Sequence, residues 1–90
     1  MTKLEQKLIE LGYEKDKQEY SDNVIYKTTF VKYFKYCCIH VEIYNIVNNN
    51  YHFCIETFAK AFAFQEFIDN LQQAFNTMQN DLEILKECEE

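Results

Sequence analysis

Between residues 36 and 58 the chain carries three cysteines, two histidines and two glutamates: Cys37, Cys38, His40, Glu42, His52, Cys54 and Glu56. Thiolate, imidazole and carboxylate are the ligand types of zinc. A pair of glutamates is also the raw material of general acid–base chemistry. Either use requires the groups to converge, so the elements that carry them decide what they can do.

The stretch "YCCIHVEIYNIV" alternates like a half-buried strand. Cys37, Ile39, Val41, Ile43 and Val47 fall on one face, and Tyr36, Cys38, His40, Glu42 and Tyr44 on the other. Tyr51, Phe53 and Ile55 form the matching apolar set downstream. The run Asn48-Asn49-Asn50 predicts a three-residue hairpin loop that sets residue 47 opposite residue 51. Asparagine tolerates the left-handed backbone such a loop needs.

This register places His40 opposite Phe58 and Cys54 opposite Tyr44, roughly 13 Å apart along the strands at ~3.3 Å per residue. Zinc bonds of about 2.0–2.3 Å cannot span that gap. His52 falls near the loop, and Cys37 and Cys38 point to opposite faces. No metal or cofactor is therefore expected, and the cysteines read as small hydrophobes. Glu42 falls opposite Glu56 in this register. Such a like-charge pair needs a lysine such as Lys27, a cation or a proton to relieve it. No serine-, histidine- or glycine-rich catalytic pattern accompanies the pair, so an exposed pair beside a lysine is favoured over catalysis.

The flanking elements are legible. Thr2 and Glu5 form a capping box, Leu4, Leu8 and Leu11 one apolar face, and Gly12 with Tyr13 a Schellman-type stop, giving a helix over 3–11. Residues 13–23 are polar and end in the turn signal Asp22-Asn23. The segment "VIYKTTFVKY" predicts a strand over 24–32, followed by strands over 36–47 and 51–58. "FAKAFAF" leads into a helix over 65–88. Its stripe of Phe64, Ile68, Leu71, Phe75, Met78, Leu82 and Leu85 steps alternately by four and three. At ~1.5 Å per residue this helix is about 36 Å long, so its last turns are expected to overhang the sheet and offer Leu82, Ile84 and Leu85 to a partner or a second copy.

Ninety residues make one domain, 1–90. The economical arrangement is α+β: an α-β-β-β-α two-layer sandwich with a three-stranded antiparallel sheet and the long helix across one face. All nine basic residues are lysines against fifteen acidic ones, for a net charge of −6. Without arginine, and with a negative field, direct nucleic-acid binding is not expected. The charge suits a basic protein surface instead. No signal peptide or apolar run of ~20 residues is present, which predicts a cytoplasmic protein with reduced thiols at Cys37, Cys38, Cys54 and Cys88.

"KLEQKLIELGYEK" at 3–15 and "DNLQQAFNTMQNDLEILKE" at 69–87 resemble small proteins carried by phages and prophages of low-GC Gram-positive bacteria. The acidic α-β-β-β-α layout is similar to that of some anti-CRISPR proteins. The resemblance implies a non-enzymatic inhibitor of a host defence factor, acting in the cytoplasm of a bacterial host by occupying the basic groove of an effector nuclease. The contacts expected are Tyr36, His40, Glu42, Tyr44, His52, Glu56 and Phe58 on the sheet face and Asp81, Leu82, Glu83 and Leu85 on the helix. A second reading is an oligomer, joined through the C-terminal helix, that sequesters a small nucleotide signal of host immunity.

Overall fold

Helix α1, Lys3–Glu10, begins where Thr2 Oγ1 accepts a hydrogen bond from the Glu5 amide and the Glu5 carboxylate accepts one from the Thr2 amide. It ends in a Schellman arrangement, with Tyr13 N donating to Leu8 O and Gly12 N to Ile9 O, both at 3.0 Å. Gly12 has φ +99°, a conformation open to glycine and strained for other residues. The computed structural model describes residues 2–45, 50–58 and 63–88.

Four strands follow, β1 Glu14–Ser21, β2 Val24–Tyr33, β3 Cys37–Tyr44 and β4 Asn50–Thr57, and then helix α2, Phe64–Cys88. The strands pair antiparallel in chain order, β1-β2-β3-β4. The sheet therefore has four strands where the residue pattern predicts three. The added strand is "EKDKQEYS", which is mostly exposed and pairs by its backbone at the sheet edge. Its turn is the two-residue Asp22-Asn23 loop, both residues at positive φ (52° and 67°), which matches the right-handed twist of the flanking strands.

The reversal between β2 and β3 lacks glycine, proline and asparagine. Phe34 N donates to Cys37 O at 2.8 Å across it, and Asn70 Oδ1 of α2 accepts from Tyr36 N at 2.8 Å. The turn is thus closed by a helix side chain from far along the chain.

Both helices lie on one face of the sheet. The core joins Leu8 and Tyr13 to Phe30, Cys37, Ile39, Val41 and Ile43 of the strands and to Ala74 and Leu85 of α2, with Leu4, Leu71 and Met78 packed against it. The buried stripe of α2 is thus Leu71, Ala74, Met78, Asp81 and Leu85. It is rotated from the expected one, and Phe64, Ile68 and Phe75 stand exposed. The last turns of α2 do not overhang, because α1 extends the surface beneath them. Leu85 is fully buried, Leu82 and Ile84 are half-buried and Glu83 is exposed.

Asp81, expected on a partner surface, is also buried. Its Oδ2 accepts hydrogen bonds of 2.8 Å from the Tyr13 hydroxyl and from Lys32 Nζ, and that ammonium lies 4.5 Å from the centre of the Tyr13 ring. These interactions tie α2 to β2 and to the end of α1. Among the described residues no helix is long and apolar enough to cross a membrane.

Candidate functional site

The second face of the sheet is free of helices among the described residues, since Leu8 places α1 in the same core as α2. The strand alternation assigns its residues correctly by parity. The register of β3 against β4 differs from the expected one: Tyr44 stands opposite Asn50, Glu42 opposite His52, His40 opposite Cys54 and Cys38 opposite Glu56. Every partner has slipped by four residues. Asn50 belongs to β4, and the expected strand and loop residues 46–49 lie outside the described residues, as does 59–62 of the segment before α2.

Two clusters result. The first crosses all four strands: Lys27 Nζ lies 3.1 Å from Glu19 Oε2 and 2.5 Å from Glu42 Oε2, and Glu42 Oε1 lies 2.8 Å from His52 Nε2. Tyr44 stacks on His52 at 5.9 Å between ring centres. The Glu42 carboxylate holds the Lys27 ammonium above its usual range, with Glu19 adding to the effect. In return Lys27, and then His52, hold Glu42 below the usual carboxylate range. The expected Glu42–Glu56 pair does not exist, and with it goes the one arrangement that favoured paired-carboxylate chemistry.

The second cluster contains Cys38, His40 and Glu56, whose ligand atoms all lie within 4.8 Å of one another. His40 Nε2 is 3.1 Å from Glu56 Oε2. The four-residue shift in register thus brings together ligand types that the expected pairing held apart. Burial, reinforced by the nearby Glu56, pushes the Cys38 thiol up to about 11. A protonated thiol is a poor nucleophile, and His40 turns its Nε2 to the glutamate.

The remaining expected contacts divide. Phe58 reaches this face beside Tyr33, with ring centres 6.4 Å apart. Tyr36 does not belong to it: Tyr36 precedes β3, is buried and packs edge-on against Phe67 of α2. On the helix side, an apolar groove of about 480 Å³ between β4 and α2 is lined, among the described residues, by Ile55, Ile68, Leu71, Gln72 and Phe75, none of them titratable. Comparison with protein-family models, curated proteins and solved structures finds no match to this chain.

Proposed function

We propose that this protein is a non-enzymatic binding module that uses the helix-free sheet face to inhibit a host defence factor, most concretely a nucleic-acid-guided effector nuclease. The observation that carries this reading is the polar and aromatic row on that face. The Glu19–Lys27–Glu42–His52 chain, flanked by Tyr44, presents fixed charges and rings side by side on a sheet surface. Aromatic anchors among satisfied polar groups are the ordinary composition of protein interfaces. The net charge of −6 adds long-range attraction toward a basic groove, and the resemblance of residues 3–15 and 69–87 to phage proteins supports a defence target. The contacts of this reading are Tyr44, His52, Glu42, His40, Glu56 and Phe58; Leu82 and Glu83 belong to α2, which packs on the opposite face of the sheet, and are not among them. The sequestering oligomer is not favoured, since Leu85, on which its interface depended, is packed in the core.

Inhibition of DNA cleavage by a panel of guided nucleases from low-GC Gram-positive bacteria tests the proposal. At least one nuclease is expected to be slowed, with less inhibition at high salt and a loss of tenfold or more for the Tyr44→Ala/His52→Ala double variant. Equal inhibition by wild type and double variant would remove the sheet face from the reading. No effect on any nuclease would remove the nuclease target.

A further inference from the structure

Cys38, His40 and Glu56 occupy adjacent positions on two neighbouring strands. Cys38 and His40 are two apart on β3 and so share a face, and Glu56 stands directly across from Cys38 on β4. His40 has Cys54 as its own cross-strand partner, on the same face. Four potential ligand residues thus form a two-by-two patch bridging the edge strand β4 to β3.

The distances suit a small tetrahedral ion. Bonds of about 2.0–2.3 Å place neighbouring ligand atoms about 3.3–3.8 Å apart. The His40–Glu56 separation is already 3.1 Å, and the widest separation in the group, within 4.8 Å, requires a closure of about 1 Å. Because His40 and Glu56 are already close, the closure is between this pair and Cys38; the His40 and Glu56 side chains, 24% and 67% exposed, are the ones free to turn, while Cys38 is fixed in the sheet at 2% exposure. One sulfur, one imidazole nitrogen and one carboxylate oxygen form a donor set suited to zinc rather than to the all-oxygen shells of magnesium or calcium.

We propose that Cys38, His40 and Glu56 bind one zinc ion on the helix-free face, with the fourth position open to solvent beside Cys54. Binding forms a zinc–sulfur bond and releases the Cys38 thiol proton to solvent. The ion also displaces the direct His40–Glu56 contact, so that both side chains point to the metal. Because its ligands come from both strands, the site clamps β4 to β3. The zinc site shares His40 and Glu56 with the contacts of the inhibitory reading, but it concerns those residues toward the metal itself and stands whether or not a nuclease is inhibited.

The test uses the reduced, tag-free full chain, with zinc competed against a chromophoric chelator and cobalt(II) as a spectroscopic substitute. One ion per chain is expected, with sulfur-to-cobalt charge-transfer absorption and a melting temperature raised by zinc. Glu56→Gln, an exposed and conservative change, and His40→Gln are each expected to weaken zinc by at least the ~10–100-fold that even outer-shell changes cause. Cys38→Ser is expected to abolish the charge-transfer band. Zinc affinity unchanged in Glu56→Gln and His40→Gln would overturn the site. So would a charge-transfer band that survives Cys38→Ser, which would assign the sulfur to another cysteine. If Cys38→Ser fails to fold, the Glu56→Gln and His40→Gln affinities decide the question alone.

Discussion

Two lysines of the same strand show how differently this molecule uses one residue type. Lys27 and Lys32 both belong to β2, on opposite faces, and their side chains are almost equally exposed, at 19% and 18%. Lys27 sits between Glu19 and Glu42 on the helix-free face, with partners that remain in contact with water. Lys32 faces the core and meets Asp81, whose side chain is 4% exposed, with the Tyr13 ring beneath the ammonium. The burial of the partner, not of the lysine, separates a surface network from a structural one. A carboxylate taken out of water depends on its donors, whereas a wet one can exchange them for solvent.

Stranding the buried carboxylate should break this comparison most severely. Lys32→Met leaves the Asp81 carboxylate out of water without its ammonium partner, and a loss of about 3–5 kcal/mol in urea unfolding is expected. Replacing Lys32 and Asp81 together by methionine and leucine should restore most of that loss, and failure to do so would show that the network does more than neutralise itself. A smaller effect concerns pH. Burial first, and Asp81 second, hold the Tyr13 hydroxyl well above its ordinary value of 10. The folded protein therefore keeps a proton that the unfolded chain releases above pH ~10. The resulting stability is complete below that pH and declines as pH rises beyond it. Tyr13→Phe should flatten that part of the profile relative to wild type. The smallest effect belongs to the wet side: Glu42→Gln should cost about 0.2–1 kcal/mol, and less at high salt.

Much of the fold is legible in the residues, and the failures have identifiable causes. The capping box at Thr2 and Glu5 and the stop at Gly12 are local chemistry, and they form as read. The alternation of β3 assigns its faces correctly because side-chain direction depends on parity alone. Strand β1 escaped because "EKDKQEYS" carries almost no apolar signal; the clue lay in Asp22-Asn23, whose left-handed tolerance marks a hairpin with a strand on each side. The register of β4 escaped because a shift by an even number leaves every face unchanged while replacing every partner. That one slip concealed both the Glu42–His52 contact and the Cys38–His40–Glu56 group. The rotation of α2 escaped for a related reason: Asp81 belongs to the buried stripe, and only its distant partners Tyr13 and Lys32 make that position tolerable.

The sheet pairs only sequence neighbours, each strand with the next. Three successive hairpins can therefore form without closing a long loop. The seam between α1 and the end of α2 is different, because the Tyr13–Asp81 hydrogen bond joins residues 68 apart in the chain. Closing a loop of that length costs less entropy once the strands between are ordered. The expected order is the meander first and the seam last, and on that order substitutions at Asp81 should act chiefly by accelerating unfolding and leave the rate of folding nearly unchanged.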